Sequence, residues 1–251
     1  MVIFIQLNNV TIFCDVHGVL VNSAKMIKNY ENSLVQLFKH YNIPRDKAID
    51  YHKQGLELYI KLLNEIKLNK PTGSLFLQEM DIADKKWDKL LQSFVTTSKA
   101  LELESRQIEY LAGTLSNTFY IDGKEFISNL QDKISINTNL DYYIVSNSHS
   151  KHLEGLFAGA GLEDIDRSKL LGWDKIGALK NTDYYYIQLK KIAHTSEVVI
   201  IGNSREEMVY GKKSNFKTIF VEREVKGKID YTNSMDLRIE NLKELSNILF
   251  D

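Results

Sequence analysis

At 251 residues the chain is long enough for one large domain or for a core domain plus a smaller one. Its 43% hydrophobic and 26% charged residues, with both signs interspersed, exclude a disordered chain and fit a folded protein with a sizeable core. A formal net charge of -1 offers no overall attraction to a polyanion, so the expected partner is a small molecule and not nucleic acid; oligomeric state stays open.

The opening MVIFIQLNN is apolar but short and lacks a basic flank, so neither a signal peptide nor a membrane span is expected there; no later run is long enough to cross a bilayer. VTIFCD, Val10 to Asp15, is continuously apolar and β-favouring and stops at a charged residue, the pattern of a buried strand. Cys14 within it is the single cysteine, a small thiol with no disulfide partner, which fits a cytoplasmic protein. Ser23 is placed to cap a helix reaching about Tyr41, because Met26, Ile27, Tyr30, Leu34, Leu37 and Phe38 recur at near-helical spacing. Asn42 to Pro44 stop it. From there to about Arg106 the pattern is almost entirely helical, broken once at Pro71 to Ser74.

The second half alternates short β-rich runs with amphipathic helix-length segments, which predicts a parallel sheet with crossover helices. The strands are expected at Tyr142 to Val145, Val198 to Ile201 and Thr218 to Val221. The helices are expected around Gly123 to Lys133, Ser150 to Ala160, Asp183 to Ala193 and Asn241 to Phe250. The fold class is therefore α/β, a Rossmann-like parallel sheet whose discontinuous core spans 1-21 and 112-251. The helical segment 22-111 is expected as an inserted cap over the C-terminal end of the first strand.

In an open parallel sheet, ligands bind outside the carboxyl ends of the strands, so the polar residues that end the apolar runs are the candidates for chemistry. They are Asp15 after VTIFC, Ser146 after YYIV, Asn203 with Glu207 after VVIIG, and Lys180 ahead of the helix at Tyr184. A carboxylate, a hydroxyl and a cation converging on one edge make a site for attack on an electrophile. Simpler roles stand beside these: Ser146 can satisfy a turn, Ser23 can serve only as a helix cap, and the Tyr184 to Tyr186 run can be helix packing. His149 and His152 lack a third ligand, so capping or surface roles outrank a zinc site.

In their order and spacing, TIFCDVHGVLVNS, YYIVSNS, KNTDYYY and VVIIGNSREEM resemble the four motifs of the haloacid dehalogenase (HAD) superfamily of hydrolases, in the branch with a helical cap. The resemblance spans most of the chain and is supported by IDGKEFISNL and AGLEDIDRSKL between the motifs. It implies that Asp15 is the nucleophile, that Ser146, Asn147 and Lys180 hold the substrate's anionic group, and that Gly18 and Asn22 lie beside the substrate. It further implies an Mg²⁺ site built from Asp15, the His17 carbonyl, Asn203 and Glu207.

Two positions depart from the family's phosphatase pattern. His17 stands where an aspartate usually serves as acid and base; a histidine can do both, pack as a neutral ring, or mark a site that has lost catalysis. Asn203 replaces an aspartate that usually binds Mg²⁺, which weakens the charge of the site; Glu207 then either supplies charge through a water or holds Lys180. The leading expectation is a phosphatase of small phosphorylated metabolites. A metal-independent 2-haloacid dehalogenase is the alternative, with Arg45 remaining as its carboxylate clamp by elimination, and a catalytically silent binding protein is the third.

Overall fold

The computed structural model describes residues 9–95, 104–116, 118–137, 139–223 and 234–250. Most of the opening apolar stretch and the 96–103 part of the expected helical region lie outside the described residues. Strands β1 (Val10–Asp15), β2 (Leu140–Val145), β3 (Leu170–Leu171), β4 (Glu197–Gly202), β5 (Lys217–Val221) and β6 (Leu237–Ile239) form one sheet in the order β3-β2-β1-β4-β5-β6. Every adjacent pair runs parallel. β3 and β6 were not anticipated, because runs of two and three residues are too short to show a period.

The central strand β1 is buried along its whole length, which is why its sequence is apolar without alternation. Val10, Ile12 and Cys14 face α5 (Ile121–Ile136), α6 (Ser150–Gly159) and α10 (Leu242–Phe250) through Phe126, Leu153 and Leu245. Phe13 points to the other side, into a cluster with Tyr185, Tyr186 and Leu189 of α8 (Asp183–Ile192). Each such fully buried side chain contributes about 1.5–3 kcal/mol relative to exposure. β1 has β2 on one side and β4 on the other, so the strand order reverses here and the Asp15 end opens into the crevice between diverging crossovers.

Helices α1 (Ser23–His40), α2 (Arg45–Asn69), α3 (Gly73–Phe94) and α4 (Ser105–Ser116) lie between β1 and α5. The cap of α1 is Asn22 and not Ser23: the Asn22 Oδ1 accepts from the Lys25 N–H at 2.8 Å, and Ser23 is the first helical residue. The break between α2 and α3 falls at the expected place, where Lys70 takes a left-handed conformation. The chain leaves and returns side by side, with Val21 bridged antiparallel to Phe119 and the Asn22 N–H donating to the Thr118 carbonyl at 2.9 Å. α4 runs unbroken across residues 111 and 112 and packs along α6. Among the described residues no helix is long and apolar enough to cross a membrane.

The α4–α6 contact depends on two glycines four apart on one face of α6. A Cβ on Gly155 would lie 2.1 Å from the Tyr110 carbonyl oxygen, and one on Gly159 would lie 2.1 Å from that of Thr114. Backbone cannot yield as a flexible side chain does, so Gly155→Ala must separate the helices. We expect it to lower stability by about 1–3 kcal/mol in urea unfolding. A midpoint equal to that of the unmodified protein would contradict this account of the contact.

Candidate active site

At the crevice the Lys180 ammonium lies between two carboxylates. It donates to Asp15 Oδ1 and, at 2.8 Å, to Glu207 Oε1. All three residues are buried, Lys180 at 7% exposure and Asp15 at 6%. Lys180 reaches the site from the turn before α8, and that turn is fixed by Asn147, whose Oδ1 accepts from the Lys180 backbone N–H at 2.9 Å. Lys175, five residues earlier, is exposed and donates to the Arg167 carbonyl.

Glu207 stands in the first turn of α9 (Arg205–Lys213) and is held by a capping box with Ser204. Its Oε2 accepts from the N–H groups of Asn203 and Ser204, each at 3.2 Å, and from Ser204 Oγ at 3.0 Å. Both oxygens of Glu207 are thereby engaged. Of the two roles expected for it, holding Lys180 is the one this geometry carries, and a place in a metal site would require these bonds to be exchanged. Glu206 is exposed on the outer face of the same helix.

Burial, reinforced by the Glu207 carboxylate, pushes the Asp15 carboxyl up to about 7 against the pull of Lys180 and the Val16 N–H. Burial also opposes the Lys180 cation, but Asp15 and Glu207 outweigh it and hold its pKa above the ordinary lysine value. Cys14, one residue before, is kept a protonated thiol by burial and by Asp15.

His17 follows in the turn after β1. Its Nε2 shares a hydrogen bond of 2.9 Å with Ser148 Oγ, its ring stacks on His152 with centroids 6.0 Å apart, and Nδ1 is a buried atom without a partner among the described residues. The ring keeps some exposed surface but is densely surrounded. That burial, with His152 and Lys180 nearby, drives its pKa down to about 3, so the imidazole is neutral at physiological pH.

Gly18 adopts a left-handed conformation, φ 79°, and the Asn203 amide lies directly on it: a Cβ there would meet Asn203 Nδ2 at 1.9 Å. Asp15, the His17–Gly18 turn and Asn203 are therefore contiguous. Their carboxylate, carbonyl and amide oxygens are hard donors of the kind Mg²⁺ takes, with a single negative charge among them. Among the described residues there is no cluster of three or more His, Cys, Asp or Glu side chains that could supply more.

The remaining sequence candidates divide. Ser146 is fully buried, and its Oγ accepts from the Ser148 N–H at 3.0 Å, so it shapes the turn after β2. The Asn22 amide is used in capping α1. His149 caps α6 through Nδ1, as one of the simpler readings anticipated. Arg45 is exposed at the start of α2.

Sequence reasoning missed the cavity beside this centre, about 400 Å³, enclosed by α1 to α4 and the turn at Asn147–His149. Arg106 and Glu109 of α4, Tyr30 of α1 and Trp173 of the short helix α7 (Trp173–Ile176) are in its wall. No motif marks them. Tyr30 shows only the apolar periodicity of α1, and Arg106, Glu109 and Trp173 carry no local signal of the cavity.

No protein-family model matches the chain, and no curated protein matches it in sequence. Solved structures do. The HAD-hydrolase YfnB from Bacillus subtilis, bound to magnesium, is 20% identical and superposes with a TM-score of 0.58 over 97% of this chain and 100% of that one. A HAD phosphatase from Thermococcus onnurineus is 18% identical, with a TM-score of 0.56 over 95% and 96%. The L-2-haloacid dehalogenase from Xanthobacter autotrophicus, with chloropropionic acid covalently bound, is 15% identical, with a TM-score of 0.54 over 96% and 98%. The chain thus has the fold of the HAD-type hydrolases, and the likeness extends over its whole length.

The buried triad generates a stability prediction. Lys180→Met leaves two carboxylates facing each other in a poorly screened site, and we expect a loss of about 3–5 kcal/mol in chemical denaturation. A loss below 1 kcal/mol would mean that water already screens the site.

Proposed function

We propose that the protein is a hydrolase of phosphate monoesters in which Asp15 attacks phosphorus and Lys180 offsets the charge of the phosphoryl oxygens. The observation behind this reading is the Lys180 ammonium held against Asp15 at the point where the strand order reverses. Asp15 Oδ1 receives both the Lys180 and the Val16 N–H bonds, which leaves Oδ2 as the attacking oxygen. Attack forms an acyl phosphate and breaks the ester P–O bond, and the departing alkoxide takes its proton from solvent water. Water then attacks phosphorus, releases inorganic phosphate and restores the Asp15 carboxylate.

The imidazole of His17 starts neutral, and the negative charge of an acyl phosphate on Asp15 would raise its low pKa, so that in the second step it accepts the proton of the attacking water. Asp15, the His17 carbonyl and Asn203 would hold Mg²⁺, which supplies positive charge that a carboxylate needs to approach a phosphate dianion. Asn147 keeps the Lys180 turn in place, and Gly18 permits the close approach of Asn203. Helices α1 to α4 act as the cap that selects the substrate and excludes water.

His17 and Asn203 also fit metal-independent displacement at carbon, which release of halide from 2-haloacids in the presence of EDTA would reveal. The cations place that reading second: Arg45 is exposed outside the cavity wall, and Arg106, within it, is already paired to Asp84 and Glu109.

Purified protein with Mg²⁺ is expected to hydrolyse p-nitrophenyl phosphate or members of a phosphate-ester panel. Asp15→Asn should remove that activity, and silence across the whole panel would end the proposal. His17→Ala should lower kcat by about 10²–10⁴-fold while acyl phosphate accumulates on Asp15, detectable by mass spectrometry; equal slowing with no accumulation would assign His17 elsewhere. Asn203→Asp should tighten Mg²⁺ by about tenfold in calorimetric titration, since it adds one anionic ligand. Unchanged affinity would remove Asn203 from the metal site.

A further inference from the structure

The cavity of about 400 Å³ beside the triad has an unusual division of its polar groups. Ser105 Oγ donates to Asp88 at 2.6 Å, Ser148 Oγ is joined to His17, and Asn147 Oδ1 accepts from Lys180. Among the described residues the charged side chains of the wall are Arg106 and Glu109, and they pair with each other at 2.6 Å. Arg106 also donates to both oxygens of Asp84, and its guanidinium lies over the Trp173 ring at 5.1 Å. Burial lowers the pKa of His52 and His149, so neither adds a cation at neutral pH.

What the wall presents inward is therefore mostly hydrocarbon and ring surface, from Leu34, Tyr51, Met80, Trp87 and Trp173. Of the lining residues, Ile27, Leu56 and Tyr59 remain 62%, 48% and 40% exposed. A sugar placed here would lose water from most of its hydroxyls against a largely apolar wall and find partners only among scattered groups such as the Tyr30, Tyr51 and Tyr59 hydroxyls and Asn147 Nδ2, whereas an apolar group loses nothing and gains burial. The inner end of the cavity reaches Asn147 and Ser148, each one hydrogen bond from Lys180 or His17.

We propose that this cavity takes the apolar body of the substrate, an aromatic or branched aliphatic alcohol moiety of a phosphate monoester, with the phosphate directed past Asn147 toward Asp15. The substrate assignment rests on the phosphatase reading; the occupancy of the cavity does not, and the two are measured separately.

The chain has two tryptophans, Trp87 and Trp173, and both are in the cavity wall, so intrinsic fluorescence reports occupancy without any turnover. Titration with cyclohexylmethanol, which does not absorb in this range, should give a saturable change, and glucose should give none. Gly55 sits on α2 beneath Trp87, where a Cβ would meet only Trp87 Nε1 at 3.5 Å. Gly55→Leu should fill the space and remove the response, while Gly55→Ala should retain it, which separates blocking from misfolding. In turnover, benzyl phosphate should exceed glucose 6-phosphate in kcat/KM by about a hundredfold, the scale of burying a phenylalanine-sized side chain.

A fluorescence signal that does not saturate, or sugar phosphates hydrolysed as well as benzyl phosphate, overturns the proposal and leaves the phosphatase reading standing. Saturation without hydrolysis of any ester supports the apolar cavity and overturns the phosphatase reading instead.

Discussion

The site is organised around one buried cation between two carboxylates. Removing Lys180, Asp15 and Glu207 from water costs each of them hydration, and their mutual placement, with the backbone and Ser204 hydrogen bonds to the two carboxylates, offsets that cost. This placement is assembled from three distant stretches of chain: the tip of β1, the turn before α8 and the first turn of α9. It is possible because β1 and β4 are neighbours in the sheet, so their ends lie side by side. The capping box at Ser204 then stiffens Glu207, and the Asn147 amide stiffens Lys180. Asp15 is the member whose second oxygen carries none of these bonds, and its pKa near 7 reflects how little solvent supports its charge.

The described residues present two kinds of surface. Strand ends and helix N-termini supply fixed polar groups in a tight space, suited to a small charged group. Helices α1 to α4 supply a broad apolar wall, suited to selecting by shape and hydrophobicity. The α4–α6 contact at Gly155 and Gly159 joins them, because α4 carries Arg106 and Glu109 while α6 carries His152, which stacks on His17.

His17 and Asn203 give the centre its particular character. The histidine is a neutral ring wedged between Ser148 and His152, and the asparagine lies on the Gly18 backbone, so both are built into the packing. Compared with two carboxylates at the same places, they leave the crevice less negative. That favours approach of an anionic substrate while weakening the hold on a divalent cation.

The sequence by itself determined the central strands, the helices that cross between them, and the positions of Asp15, Lys180, Asn203 and Glu207 at strand or helix ends. Unbroken apolar runs ended by polar residues are a local signal, and local signals are readable without coordinates. The two edge strands were too short for such a signal, and the cap of α1 fell on Asn22 because two adjacent residues, Asn22 and Ser23, could both serve. Tertiary structure alone decided that Glu207 holds Lys180, that Arg106 is consumed by Asp84 and Glu109, and that an apolar cavity adjoins the charged centre. Those facts concern which side chains meet across long separations in sequence, and partner choice is set by packing, which no residue's own neighbourhood encodes.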